Sequence, residues 1–303
     1  MTNRFAVQLI WEQISFLLGV LGNTFVLHSS IRKNAIKMDN ISVWIIRNLS
    51  TVDLLACFMV LLPIMINHYE DDKRWIFGKS FCFAFAAYQY TFACANTFLI
   101  NVLSLNKLLR CVYPLRNLSP SRKQRVSISI SMLAFSVVQA VSICSGYLSG
   151  FTSATYEYST SLCKARIYNT IMTKIHDAIT YIFITIVPCV TLVILNISLI
   201  TFAILKSHRS VKIGNIVIVV TVTACFLVSF LPIIAALVFG DWEPFAWSFS
   251  LLSLWTNPVI YLLVNKQLRT YTCQLLRLNM KRSTVKENVT LTTMNNDNIS
   301  PEV

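Results

Sequence analysis

Charge is what this sequence lacks. Only 13% of its 303 residues are charged while 55% are apolar, whereas a soluble domain carries about a quarter charged residues. A fold solvated by water alone is therefore excluded, and lipid is the second solvent. The nine cysteines include no C-x-x-C pair and no His spacing of a zinc site, so a metal module is not expected and most of them read as small buried apolar side chains. Glycine is scarce, at seven residues, and no phosphate-cradling loop, paired carboxylates or Ser/His/Asp set is visible, so the chain is not expected to be an enzyme. Residues 1–8 lack the charged stretch, short apolar run and small-residue cleavage site of a secretory leader. The run from Leu9 to Ile31 is expected to insert as the first span itself.

What the sequence has is apolar length, with a mean hydropathy of +0.61. A span needs about 20 mostly apolar residues, and such runs fall near 8–31, 41–67, 80–112, 126–149, 178–205, 213–239 and 245–264. Seven spans put the termini on opposite sides, and Lys and Arg sort those sides because basic loops stay cytoplasmic. Nineteen basic residues fall on one side and seven on the other, with eight acids on the basic-poor side, four on the basic-rich side and Asp53 within a span. The N-terminus is thus expected outside and the tail inside. The net charge of +13 reads as topology, with no nucleic-acid partner. The sequons at Asn40, Asn48, Asn117, Asn196, Asn288 and Asn298 all fall inside or within the membrane, where none is expected to be glycosylated. The predicted organisation is an extracellular N-terminus (1–7), a seven-span domain (8–264), an amphipathic helix (265–280) and a disordered cytoplasmic tail (281–303). Leu268, Tyr271, Leu275 and Leu278 form the apolar stripe of that amphipathic helix, which lies on membrane lipid. Its Cys273 is either palmitoylated or unmodified.

Three polar motifs interrupt the apolar runs: Gly22-Asn23 in span one, Asn48-Leu49-Ser50-Thr51-Val52-Asp53-Leu54-Leu55 in span two and Asn257-Pro258-Val259-Ile260-Tyr261 in span seven. Here the chain closely resembles the rhodopsin-like (class A) G-protein-coupled receptors, as a divergent member of no identified subfamily. The resemblance implies an all-α membrane protein, a seven-helix bundle with a short eighth helix, in the plasma membrane. It also implies a polar network of Asn23, Asp53, Asn96, Ser253 and Asn257. The physics agrees, since an unpaired carboxylate at mid-span costs at least about 2.5 kcal/mol and so requires partners. Two readings of Asp53 stay open. Similar receptors bind a sodium ion there as an allosteric ligand, and the alternative is a protonated Asp53 bonded to Asn23 and Asn257 as structural glue. No other cofactor is implied.

Span three runs from Cys82 to Asn106-Lys107-Leu108, and 25 helical residues from Cys82 to Lys107 cover about 37 Å, one tilted crossing. Cys163 is the one cysteine in the outer loop between spans four and five. The resemblance implies that it bridges to Cys82, the alternative being free thiols. Asn106-Lys107-Leu108 replaces the family's Asp-Arg-Tyr, keeping a cation while losing the acid and the planar guanidinium. Its partner position in span six is Lys212, so no ionic lock between spans three and six is expected. Span six carries Phe226, Phe230, Leu231 and Pro232, with Phe230 where the family has Trp. The Pro232 kink serves either packing alone or an activation pivot. Pro188 marks span five, Asn196 replaces the family's Tyr there, and span four lacks the family's Trp. Together with Pro258 and Tyr261, these inner residues are the expected elements of activation and coupling.

By the same resemblance the ligand cavity lies at Gln89, Tyr90, Ala93, Tyr181, Ile233, Ile234 and Trp247. Gln89 supplies no counter-ion for a biogenic amine, and span seven has no Lys for a retinal Schiff base. A peptide or a neutral small molecule remains. The acids Glu70, Asp71, Asp72, Asp241 and Glu243 form either a rim for a basic peptide or a solvated loop. The expected partners are an extracellular ligand, a heterotrimeric G protein and arrestin, and the expected mechanism is a population shift. Two alternatives are an uncoupled decoy or heteromer subunit, suggested by Asn106-Lys107-Leu108 and Phe230, and a transporter. The transporter would need several ionisable groups along a pathway, whereas only Asp53 is expected deep in the membrane.

Overall fold

The computed structural model describes residues 3–31, 40–69, 75–113, 127–128, 130–131, 134, 152–157, 162–167, 182, 186–205, 213–239, 249–265 and 268–274. Helix α1 (Asn3–Ile31) forms the first span. Its burial pattern is reversed relative to a helix in water: Val7, Ile10, Ile14, Leu17, Leu18 and Leu21 are exposed, while Glu12, Ser15, Asn23 and Ser29 are buried. Lipid solvates the apolar face, so the polar side chains turn into the bundle, where Glu12 meets His68 and the Asn23 amide meets the Leu254 carbonyl. The helix begins at Asn3, earlier than the apolar run suggests, and the Gln8 amide donates to Glu12 one turn on at 3.1 Å.

The second span, expected as one uninterrupted helix, is broken into α2 (Asn40–Ala56), a π turn (Cys57–Leu61) and α3 (Leu62–Tyr69). Pro63 is the physical reason. It has no N–H to donate and its ring crowds the carbonyl four residues back, and a widened turn relieves that crowding. The Leu62 N–H accordingly reaches the Cys57 carbonyl five residues back.

Two glycines let α1 approach its neighbours closely. A Cβ on Gly19 would sit 2.7 Å from Cys57 Sγ, and one on Gly22 would sit 2.8 Å from Pro258 Cγ. Because a proline ring cannot move aside, Gly22→Val is expected to cost about 1–3 kcal/mol by overpacking. It should lower the thermal unfolding midpoint, while Leu21→Val on the exposed face leaves it unchanged. Equal midpoints for Gly22→Val and the parent would show that α1 is not held this close to the seventh span.

The third span, α4 (Gly78–Val112), is the longest helix among the described residues and packs most extensively on the fifth and second spans. It starts at Gly78, whose φ of +81° is a conformation glycine adopts without strain. Trp75, Phe77, Phe81 and Phe85 stack around this outer end, with ring centroids 5.0–6.5 Å apart. Of the fourth span, helical backbone is described at 127–128, 130–131 and 134.

Strands β1 (Thr152–Glu157) and β2 (Leu162–Ile167) follow as an antiparallel hairpin, with Tyr156 opposite Cys163. This hairpin lies against α4 and adds a small β element to the helical bundle the sequence led us to expect. The alternation of Cys163, Ala165 and Ile167 with Lys164 and Arg166, and of Ala154 and Tyr156 with Ser153, Thr155 and Glu157, is the period-two signal that announces it, and sequence reading by apolar length passed over it.

Helices α5 (Val187–Leu205), α6 (Ile213–Phe239) and α7 (Leu252–Val264) supply the fifth to seventh spans, and a helix over 268–274, α8, follows. Four helices among the described residues are long and apolar enough to cross a bilayer, and the apolar stretches Ile216–Pro232 and Leu252–Val264 are shorter. The main core runs through Val26, Leu49, Leu99, Leu103, Leu199, Val222, Phe226 and Ile260. Leu268 reaches the same core, and Tyr271 stacks on His28 of α1 at 6.3 Å, which fixes α8 against the first span.

Candidate transmembrane signalling site

Asp53, on α2, is fully buried. The Asn96 amide of α4 donates to its Oδ1 at 2.6 Å, and the Asn257 amide of α7 donates to its Oδ2 at 3.2 Å. One carboxylate therefore joins three helices. A buried carboxylate without such partners would be costly, so the pair of amides makes this depth tolerable.

The other two residues of the expected network are arranged differently. Asn23 does not bond Asp53; its amide donates to the Gly19 carbonyl at 2.9 Å and to the Leu254 carbonyl of α7 at 2.8 Å. The glue reading that joined Asn23 to Asp53 is corrected accordingly: Asn23 bridges α1 to the α7 backbone, close to Pro258, whose missing N–H already loosens that helix. Ser253 is buried and donates to the Ser250 carbonyl at 2.7 Å. Three buried oxygens of the polar motifs have no hydrogen-bond partner, namely Asn96 Oδ1, Ser50 Oγ and Asn23 Oδ1.

At the inner end, Asn106 donates to Ser42 Oγ of α2 at 3.0 Å, and both side chains are buried. A neutral bond to the second span thus stands where the family motif has an acid. Lys107 is 4% exposed, and Leu108 packs on the main core. Asn196 of α5 donates to Ser104 Oγ at 3.2 Å, a second neutral link from α4. Arg47 donates to the Ser30 carbonyl at 2.7 Å and holds α1 to α2. Tyr261 is buried, and its hydroxyl has no partner. Lys212 lies outside the described residues.

On α6, Phe226 and Phe230 stack with centroids 4.4 Å apart, one turn before Pro232. Among the expected ligand contacts, Gln89 and Ala93 are half-buried on α4, and the Gln89 Nε2 is buried without a partner. Ile233 and Ile234 lie in α6, and Tyr90 lies in α4, by their backbones. Tyr181 and Trp247 fall outside the described residues. Cys82 is buried and disulfide-bonded. The strand that carries Cys163 lies against α4, while the Cys163 side chain falls outside what is described. Cys273 is a free, exposed cysteine on α8.

One feature of the site was missed by sequence reasoning. Glu12 of α1 and His68 of α3 form a buried pair, Glu12 Oε2 to His68 Nδ1 at 2.7 Å. Glu12 is thus a second buried carboxylate, near the outer end of the first span, and it belongs to the bundle interior instead of the outer solvent. The available signal was a carboxylate placed inside an apolar run, where an ionisable residue faces the interior and finds a partner.

No protein-family model matches the chain. It is similar to melanin-concentrating hormone receptor 1 of Macaca mulatta, 29% identical over 100 residues that cover 33% of this chain and 28% of that receptor. The match thus spans under a third of that relative's length. Cysteinyl leukotriene receptor 1 of Cavia porcellus is 27% identical over 74% of this chain and 65% of its own length. The G-protein coupled receptor homolog K2 of swinepox virus is 26% identical over 85% of this chain and 74% of its own length. The apolar spans, the carboxylate that joins the second, third and seventh of them, and these relatives lead to one conclusion: the chain is a multi-pass, seven-helix membrane protein of the rhodopsin-like (class A) G-protein-coupled receptor family.

Proposed function

We propose that this receptor binds an extracellular peptide or uncharged small molecule and passes a conformational change to a heterotrimeric G protein, with arrestin as a further partner. The observation that carries the reading is the junction at Asp53, where Asn96 and Asn257 bring the third and seventh spans onto one buried carboxyl group. A ligand that shifts either span outside changes the distances at this junction, and it favours one arrangement only by as much as it binds that arrangement better. The Phe226–Phe230 stack and Pro232 then supply the bend about which the inner end of α6 moves. Relatives named for a hormone and for a cysteinyl leukotriene support an extracellular ligand. The excess of Lys and Arg on the tail side supports an outer N-terminus and a basic inner face toward the G protein.

We propose sodium as an ion at the Asp53 junction: Asp53 supplies a buried carboxyl group and Asn96 Oδ1 a buried oxygen that carries no hydrogen bond, and hard cations take oxygen ligands. Asp53, Asn96, Ser253 and Asn257 would hold the ion once the two amides that now donate to Asp53 turn their oxygens inward, and the ion would supply positive charge against the carboxylate.

Cys82 is inferred to pair with Cys163, tethering the hairpin to the outer end of α4. Thiol-reactive labelling at the surface of intact cells should then leave both unmodified until a reductant is added. Efficient labelling of Cys163 without reductant would remove the bridge.

The overall reading is tested by a ligand-library screen in cells that report several G-protein classes and arrestin recruitment. A saturable response through one class is expected. The second reading, an uncoupled decoy or heteromer subunit, is favoured by Asn106-Lys107-Leu108 and is the one left standing by a ligand that binds yet elicits no response in any channel.

A further inference from the structure

A cavity of about 260 Å³ lies between α4 and α5, lined by Thr97, Phe98, Asn101, Val187, Pro188 and Thr191. It carries no charged group. Its outer wall is lipid-facing, since Val187 and Thr191 are exposed, as are Val190 and Ile194 on the same side of α5. Every hydrogen-bond donor in the wall is already used. Thr97 Oγ1 donates to the Ala93 carbonyl, Thr191 Oγ1 donates to the Val187 carbonyl, and the Asn101 amide donates to the Thr97 carbonyl at 2.9 Å and the Pro188 carbonyl at 3.3 Å. The polar atom of the wall left with no partner at all is Asn101 Oδ1, a buried acceptor, whereas the two threonine oxygens are already engaged through their own donated bonds.

We propose that this cavity is an intramembrane binding site for a small uncharged lipophile with a single hydrogen-bond donor, of the alkylphenol kind, which enters from the bilayer and donates to Asn101 Oδ1. Size, charge and hydrogen-bond inventory agree. An apolar cavity of roughly 150 Å³ already takes benzene, so this one has room for a substituted ring. An ion would be unpaired against hydrocarbon walls, and a ligand with no donor would leave the Asn101 acceptor unmet. Because Oδ1 is buried, the donor meets it as the carboxamide turns. The 3.3 Å bond to Pro188 is the contact that yields, so occupancy loosens the link between α4 and α5 beside the Asn196–Ser104 contact. The site needs no particular outer ligand and no G protein.

The test uses the purified receptor in lipid nanodiscs with a diazirine-bearing 4-butylphenol, crosslinked by light and mapped by peptide mass spectrometry. Saturable labelling confined to 97–101 and 187–191 is expected. The methyl ether of the phenol, and Asn101→Leu with the phenol, should each bind about fivefold more weakly, the effect of one ordinary hydrogen bond. Thr191→Phe, which fills the cavity from an exposed position, should abolish labelling without moving the thermal unfolding midpoint; Val187→Phe serves the same purpose should the first variant fold poorly. Labelling that does not saturate and spreads over all lipid-facing helices overturns the proposal. So does an ether that binds as well as the phenol. Both readouts are of binding alone, so a receptor silent toward every G protein leaves this result intact.

Discussion

Glu12→Ala should destabilise the receptor by about 1–3 kcal/mol, the range for leaving a buried polar partner without its hydrogen bond. The expectation follows from burial and geometry together: neither side chain reaches solvent, and the contact is 2.7 Å. Taking the carboxylate away leaves the imidazole in an apolar cross-section between α1 and α3, with the Gln8 amide also losing its acceptor. Gln8→Leu, which removes only the part-buried amide bond to Glu12, should cost about 1 kcal/mol. The double variant Glu12→Leu/His68→Phe should recover most of the loss, because an apolar replacement of a buried pair is frequently neutral. Thermal unfolding in nanodiscs reads all four proteins. If Glu12→Ala matches the parent within about 0.5 kcal/mol, a spread typical of surface substitutions, the pair does not hold the first two spans together.

Exchanging potassium for sodium at constant ionic strength should raise the unfolding midpoint of the parent and leave Asp53→Asn unmoved. An ion that binds only the folded state stabilises it by mass action, by about 2.7 kcal/mol at a hundredfold excess over its dissociation constant. Asp53→Asn keeps the shape and one acceptor oxygen for the Asn96 and Asn257 amides but removes the charge that makes the site attractive to a cation. Identical sodium titrations in the two proteins would reduce Asp53 to a structural junction.

Much of this architecture is legible in the residues. Span six was bounded at 213–239 from its apolar run, and α6 occupies Ile213–Phe239; hydrophobic length is read directly because lipid leaves no choice. Asp53 announced a need for partners through its cost alone, and two of those anticipated, Asn96 and Asn257, donate to it. What a linear sequence does not carry is azimuth. Asn23 has the right depth for Asp53 but faces the Leu254 carbonyl, and Asn106 finds Ser42 across a helix interface whose rotation is set by packing along the whole of α2 and α4. Glu12 was misplaced for a related reason, since counting charges by side assigns a residue near the end of a span to the solvent even when its partner waits inside. The π turn ahead of Pro63 depends on local backbone accommodation, which apolar periodicity does not encode, while the hairpin between the fourth and fifth spans carries a period-two signal that apolar length passes over.

The central claim, a receptor that couples to a G protein through the inner end of its third span, is tested most directly by ligand-free second-messenger output at matched surface expression. Lys107 and Lys212 stand where the resemblance expects a cation and its acidic partner, so two cations replace an ionic lock. We infer from this that the arrangement with α6 swung away gains weight, and a bias of about 1.4 kcal/mol changes the ratio of states tenfold. The parent should signal above vector-only cells in at least one G-protein class, Lys212→Glu should lower that output, and Lys107→Ala should bring it to background. A parent that is silent in every class, and that neither Lys212→Glu nor Lys107→Arg alters, would contradict the claim and leave the uncoupled receptor in its place.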